Sequence, residues 1–245
     1  MLRGVPHGFF SLFFPDNCRV CDTPLLRITR VPVCHGCLAA PEPATTEHFC
    51  TLCNTPFANR FPLDEFGVCA ACRTGLRGFD SAASFGVYEG TLRTLIHLFK
   101  YAGMKPLAKP LGRYLERAIP VDSGFDVVVP VPLHWRKRWR RGFNQAELLA
   151  REVAGRRGFL MVKALRRVKA ADAQAGLSKT ARRRNVQGAF QIRRGLSLAG
   201  QRVLLVDDVM TTGATASACA SALKRAGAKS VALLTLARAD RKWGT

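Results

Sequence analysis

The chain has 245 residues, of which 48% are hydrophobic and 22% charged, and it contains 38 Lys and Arg against 17 Asp and Glu. A net charge of +21 together with this hydrophobic fraction excludes a disordered basic tail. The length predicts one or two folded domains. No apolar run reaches the roughly 18 residues that span a bilayer, so we expect no membrane insertion.

Eight cysteines near the start of the chain form four Cys-x-x-Cys pairs. Twelve residues separate the first two pairs and fifteen the last two, which is typical of two tetrahedral four-thiolate zinc sites. Paired thiols at this spacing favour a reducing compartment, here the cytoplasm, over a disulfide framework. Pairing across the two halves and iron in place of zinc stay open. The predicted metal ligands are Cys18, Cys21, Cys34, Cys37, Cys50, Cys53, Cys69 and Cys72.

A change of composition near residue 78 predicts a domain boundary. Residues 1–78 are rich in proline and turns and lack a periodic core, so we expect a small double zinc-ribbon domain there. A second domain is predicted over 79–245. Its first element is a helix over 89–102, where apolar residues recur at helical spacing.

The rest of the second domain alternates apolar runs with helical patterns, which predicts an α/β fold with a parallel sheet flanked by helices. The predicted elements are a strand over 125–131, a helix over 144–154, a strand over 203–206, a helix over 214–225 and a strand over 230–236. Residues 166–187 are polar and weakly patterned, so a long loop and a charged hairpin remain alternatives there.

The positive charge is concentrated in residues 136–194, which hold 18 basic and 3 acidic side chains. This excess favours an anionic partner over the alternative of a solvated surface. Trp135 and Trp139 lie among the basic residues, where they can stack on unpaired bases or cover apolar surface. We therefore expect single-stranded DNA to bind there. The predicted contacts are Arg136, Lys137, Arg138, Arg140, Arg141, Arg182, Arg183 and Arg184.

Two carboxylates, Asp207 and Asp208, follow the predicted strand over 203–206 and precede a threonine-rich turn that opens a helix. The free N–H groups of a helix N-terminus favour a phosphate, and carboxylates accept hydrogen bonds from ribose hydroxyls. A ribose 5-phosphate group therefore fits better than a bare anion. A Mg²⁺ site alone and an ordinary capped turn are the alternatives. The predicted phosphate ligands are Thr211, Thr212, Gly213, Ala214 and Thr215.

Residues 203–215 resemble the phosphoribosyl-pyrophosphate motif of type I phosphoribosyltransferases. Three further features make the resemblance more specific. They are the block Arg-Arg-Gly-Phe-Asn-Gln-Ala over 140–146, the segments 129–133 and 174–186, and the four cysteine pairs. With them, nearly the whole chain resembles the ComF family of competence-associated proteins.

The resemblance implies a type I phosphoribosyltransferase-like sheet behind a double zinc ribbon. It implies that Asp207 and Asp208 are the catalytic acids that hold the ribose hydroxyls, and that the turn over 211–215 holds the 5-phosphate. It also implies Mg²⁺ bound with phosphoribosyl pyrophosphate, two structural zinc ions, and a mobile flap over 166–187. The pyrophosphate loop would be Pro132, Leu133 and His134.

Two functions follow as hypotheses. The first is a ComF-like protein that binds phosphoribosyl pyrophosphate and single-stranded DNA and acts in DNA uptake for natural transformation, with a competence helicase or translocase as partner. The second is a metabolic phosphoribosyltransferase that moves phosphoribose to a nucleobase or an amine. The motif residues leave open both the acceptor and whether catalysis is retained.

Overall fold

The cysteine-rich part of the chain consists of very short elements, as its composition predicts. The computed structural model describes residues 17–25, 30–74, 78–120, 123–168 and 188–239. In its first two segments two short strands pair antiparallel, and two short helices each begin directly after a cysteine. The elements are α1 (His35–Ala39), β1 (His48–Phe49), β2 (Pro56–Phe57) and α2 (Ala70–Arg73).

A five-stranded parallel sheet forms the rest of the fold, which confirms the predicted class. Its strands are β3 (Ser81–Val87), β4 (Val127–Pro130), β5 (Leu160–Met161), β8 (Arg202–Met210) and β9 (Ser230–Arg238). They are ordered β3-β9-β8-β4-β5, and every neighbouring pair is parallel. A separate antiparallel pair consists of β6 (Leu165–Arg167) and β7 (Phe190–Ile192). Strand β6 overlaps the start of the segment 166–187 that was expected as a loop or hairpin, and β7 follows that segment. Residues 169–187 lie outside the described residues.

Helices cover both faces of the sheet. They are α3 (Gly90–Tyr101), α4 (Ala108–Ala118), α5 (Trp135–Arg141), α6 (Gln145–Arg157) and α7 (Ala214–Arg225), with a 3₁₀ turn at Lys105–Leu107. Within the described ranges, none of the helices has both the length and the apolar character needed to cross a membrane.

Alternating side chains of β8 separate two apolar cores. Val203 and Leu205 pack with α7 and the second group of four cysteines, whereas Leu204 and Val206 pack with α3, α4 and α6 and with cysteines of the first group. The two cysteine groups therefore lie against opposite faces of one sheet. The buried cysteines therefore pack within the two apolar cores of the sheet and not in a separate core.

The strand predicted over 203–206 is longer than expected. Strand β8 continues through both carboxylates, because Asp207 pairs with Thr235 and Val209 pairs with Ala237 of β9. The prediction that the strand ends before the acids is therefore wrong. The helix predicted over 214–225 is α7 with the same bounds.

Candidate functional site

The eight paired cysteines form two tetrahedral clusters, one from each half of the cysteine-rich segment. In each cluster the four sulfurs lie within 4.8 Å of one another. Four bonds of about 2.3 Å to a central zinc place neighbouring sulfurs about 3.8 Å apart. The Cys21–Cys34, Cys53–Cys69 and Cys50–Cys72 sulfur distances are 3.7, 3.7 and 3.8 Å. The donor sets fit zinc, and pairing across the two halves is excluded.

Hydrogen bonds to sulfur favour cation binding at both clusters. Backbone N–H groups of Cys34 and Cys69 donate to the sulfurs of Cys18 and Cys50, at 3.3 and 3.4 Å. Hydrogen bonding with Thr23 lowers the pKa of Cys21 to about 6. These donors favour thiolates, the form that binds metal. The second cluster is buried, whereas the first is open at Cys21.

The predicted sugar-phosphate residues lie together at the carboxyl edge of the sheet, where ligands of parallel α/β folds bind. Asp207 and Asp208 lie near the end of β8, and the threonine turn follows directly. Gly213 adopts a left-handed conformation with φ of 74° just before α7 begins. A pocket of about 60 Å³ is lined by Asp207, Thr235 and the whole turn over 211–215.

Hydrogen bonds join the turn to the start of α7. The Thr212 side chain accepts from the Ala214 N–H at 3.4 Å, and the Gly213 carbonyl accepts from the Ser217 N–H at 2.8 Å. The first N–H groups of α7 have no acceptor inside the helix, so their positive end faces the turn. This arrangement suits a phosphate monoester.

The two carboxylates differ in their surroundings. Burial and the charge of Asp208 raise the pKa of Asp207 to about 7. Asp208 instead pairs with Lys100, with 2.8 Å between Nζ and Oδ1. Burial opposes the charge of Lys100, but the attraction of Asp208 outweighs it and raises the pKa of that lysine. Asp208 thus has a cationic partner, whereas Asp207 is poised to titrate near neutral pH.

Asn144 fixes the loop that follows β4 beside this pocket. Its Nδ2 donates to the Val131 carbonyl at 3.0 Å, and its Oδ1 accepts from the Ala146 N–H at 3.2 Å. The residue therefore caps α6 and anchors the loop in one step. The Val131 N–H donates in turn to the Val206 carbonyl at 2.9 Å, which places the loop beside β8.

His134 ends this loop and begins α5. Its Nδ1 accepts from the Arg136 N–H at 3.3 Å, so the ring proton resides on Nε2. Burial, followed by the charges of Arg167 and Arg136, lowers the pKa of His134. The ring is neutral at pH 7 and keeps one donor. Pro132 and Leu133 precede it at the same edge of the sheet.

Helix α5 is exposed and strongly cationic. Trp135 and Trp139 are 67% and 87% exposed, so they cover little apolar surface of the described chain. None of the five basic residues of α5 forms an ion pair with a described carboxylate. Partial loss of hydration and the charges of Arg167 and Arg141 lower the pKa of Lys137. Like charges are therefore held together without an internal counter-charge.

A larger pocket lies between α5 and the end of α3. Its volume is about 630 Å³, and its lining includes Lys100, Tyr101, Arg140 and Arg141. The Arg141 guanidinium lies 5.0 Å from the centre of the Tyr101 ring, while its Nε is buried without a hydrogen-bond partner among the described residues. Lys100 also pairs with Asp208, so the lining of this pocket contacts the carboxylate next to Asp207.

Sequence reasoning missed Lys100 and the role of Asn144. No local pattern connects Lys100 with Asp208, because the contact depends on how α3 packs near β8. Asn144 carried a signal, since Asn followed three residues later by Glu147 is typical of a helix N-terminus. The predicted DNA contacts Arg182, Arg183 and Arg184 lie outside the described residues.

Comparison with known proteins defines the class. Residues 124–245 match the family model described as phosphoribosyl transferase domain, so the chain is a phosphoribosyltransferase-domain protein. DNA utilization protein YhgH of Salmonella typhimurium is 31% identical over 235 residues, which cover 93% of this chain and 99% of that protein. Competence protein F of Haemophilus influenzae is 32% identical over 182 residues, covering 70% of this chain and 78% of that protein. The chain belongs to the ComF family.

The fold is also similar to part of a solved structure. The glutamine phosphoribosylpyrophosphate amidotransferase from B. subtilis is similar over 53% of this chain and 26% of its own, with 22% sequence identity and a TM-score of 0.37.

Proposed function

We propose that this protein binds phosphoribosyl pyrophosphate with Mg²⁺ at the carboxyl edge of the sheet and binds single-stranded DNA along α5. It would act in DNA uptake for natural transformation, in the cytoplasm, beside a competence helicase or translocase. In this proposal residues 1–78 bind zinc and residues 79–245 bind the sugar phosphate. The observation that carries it is the pocket shared by Asp207 and the turn over 211–215.

Each part of the ligand has a matching group. The turn offers hydroxyl and amide donors to the 5-phosphate, and Asp207 and Asp208 offer acceptors to the ribose hydroxyls. The loop of Pro132, Leu133 and His134, with the adjacent cations, suits the pyrophosphate. Carboxylate oxygens are ligands that Mg²⁺ accepts, and the ion commonly bridges a protein and substrate phosphates. Mg²⁺ would supply charge neutralisation for pyrophosphate.

Isothermal titration with phosphoribosyl pyrophosphate tests the proposal. The protein should bind it in the presence of Mg²⁺, and Asp207→Asn with Asp208→Asn should weaken binding by about 10-fold or more, because charged hydrogen-bond acceptors are lost. Glu65→Gln removes a carboxylate from an exposed loop and should leave the affinity unchanged. No binding by the unaltered protein would overturn the proposal. Steady pyrophosphate release after addition of a nucleobase or an amine would favour the metabolic transferase instead.

Helix α5 supports the nucleic-acid part of the proposal. Trp135 and Trp139 are four residues apart and so share one face, about 6 Å apart along the axis. Exposed indoles beside arginines form a stacking surface for unpaired bases, and the unpaired cations attract phosphates. A duplex keeps its bases stacked on one another, so this surface favours single strands.

Fluorescence anisotropy with labelled oligonucleotides tests this part. We expect single strands to bind more tightly than duplexes, with an affinity that falls steeply with salt. Replacing Trp139 by Ala should weaken binding about 5-fold or more, because one stacked base is lost, whereas Trp139→Phe should retain most of the affinity. Equal affinity for both DNA forms, unchanged by Trp139→Ala, would contradict this part.

A further inference from the structure

Arg238 is the largest fully buried side chain of the described chain, with 1% of its surface exposed. It ends β9, where it is in register with Met210 of β8. Burying a guanidinium is costly unless its donors are satisfied and its charge is balanced. Two hydrogen bonds of Arg238 link separate parts of the molecule.

One side of the guanidinium points to the second cysteine cluster. Arg238 Nε donates to Thr55 Oγ1 at 2.8 Å, and Thr55 Oγ1 lies 2.9 Å from Cys53 Sγ. Arginine has donors only, so the Thr55 oxygen accepts from it. Thr55 therefore connects the guanidinium to the sulfur of a metal ligand through two hydrogen bonds.

The other side of the guanidinium points to the sugar-phosphate pocket. Arg238 Nη1 donates to the Met210 carbonyl at 3.3 Å. Met210 lines the pocket and directly precedes Thr211, the first residue of the threonine turn. One rigid side chain thus contacts both the outer shell of the metal cluster and the base of the turn.

The charge of the guanidinium is opposite to that of the metal-loaded cysteine cluster. Four thiolates around a divalent ion leave surplus negative charge, and hydrogen-bond partners of metal ligands tune metal affinity. A cation two hydrogen bonds from Cys53 compensates part of that charge. Without metal the Cys53 sulfur is no longer fixed in a tetrahedron, so the Thr55 hydroxyl loses the fixed partner that positions it against Arg238.

We infer that Arg238 is a positioning residue that couples metal occupancy of the second cysteine cluster to the geometry of the threonine turn. The inference rests on the proposed sugar-phosphate function and adds to it a regulatory link. Metal at this cluster holds Arg238 in place, and Arg238 holds Met210 and the turn. By linkage, a ligand in the turn should in return strengthen metal retention at this cluster.

Two variants of Thr55 test the coupling in the full-length zinc-loaded protein. Thr55→Val removes the hydroxyl at nearly constant shape, and Thr55→Ser keeps it. Zinc transfer to a chromogenic chelator, with the first cluster as internal reference, should show about 10- to 100-fold weaker retention at one of two sites in Thr55→Val. Thr55→Ser should behave like the unaltered protein.

Hydrogen exchange of the amides of 211–216 gives a readout that needs no ligand. We expect faster exchange there in Thr55→Val and not in Thr55→Ser. Weaker zinc retention with unchanged exchange would overturn the coupling, as would unchanged retention. The unaltered protein gives a second test, because phosphoribosyl pyrophosphate should slow zinc release from one site only, and equal release would also overturn it. If the compound does not bind, the proposed function fails, while the exchange data still decide the coupling.

Discussion

Asp207 is the residue whose chemistry conflicts most with its place in the fold. It lies in a paired strand next to a second carboxylate, and burial with that neighbouring charge raises its pKa to about 7. A carboxyl group with a raised pKa binds its proton more tightly in the folded state than in the unfolded state. Its ionisation therefore costs stability, the usual compromise at a ligand-binding site.

The sign of this effect can be measured. The cost is absent below the ordinary pKa of an aspartate, about 3.9, grows as pH rises, and is complete above pH 7. Asp207→Asn removes the charge, so we expect its melting temperature to exceed that of the unaltered protein by more at pH 8 than at pH 5. Differential scanning calorimetry at the two pH values makes the comparison.

Asp126 supplies a control of opposite sign. A side-chain hydrogen bond from Arg202 lowers the pKa of Asp126 to about 2, so its ionised form contributes stability at every pH above the ordinary pKa. Asp126→Asn should therefore lower the melting temperature at both pH 5 and pH 8. An Asp207→Asn protein that melts below the unaltered protein at pH 8 would show that ionised Asp207 is not under strain.

The elements that could be predicted are those with an apolar period. Helix α3 buries Leu92, Leu95, Ile96 and Phe99, the residues whose spacing predicted it. The end of β8 escaped prediction because Asp207 is charged, yet its backbone pairs with β9. Pairing depends on the neighbouring strand, which a local pattern does not contain.

Helix α5 had no such signal, since none of its residues is buried. Its ends define it instead. His134 caps the first turn, and Gly142 closes the last one with a left-handed φ of 74°. A seven-residue helix is short, and its neighbouring cations repel one another, so the helix is only weakly stable by itself. Its end caps and a bound anion would therefore decide its stability. The charge pattern predicted a DNA contact here, which stays a prediction, and it did not predict the helix.

The candidate site divides in the same way. Residues of the threonine turn are contiguous, so one motif predicts them together. Lys100 and Arg238 reach the site from other elements, and their contacts with Asp208 and Met210 depend on packing across the sheet. Prediction from local sequence therefore covers the residues that line the pocket and misses those that support them.

At the scale of the molecule, the two predicted domains share their cores. The Tyr114 hydroxyl donates to the Leu38 carbonyl, and the Ala44 N–H donates to the Phe85 carbonyl at 3.0 Å. Both contacts join the cysteine-rich segment to the sheet or its helices. Since the two clusters lie against opposite faces, the segment covers the sheet from both sides.

Metal removal should therefore affect the whole molecule. We expect a chelator to speed hydrogen exchange in β3 and β9 as well as in residues 17–74, because apolar packing of the sheet includes the cysteine clusters. Mass-spectrometric exchange before and after chelation measures this, and added zinc should restore protection. Exchange that rises only in residues 17–74 would show instead that the cysteine-rich segment unfolds on its own, and that its contacts with the sheet contribute little to the stability of the fold.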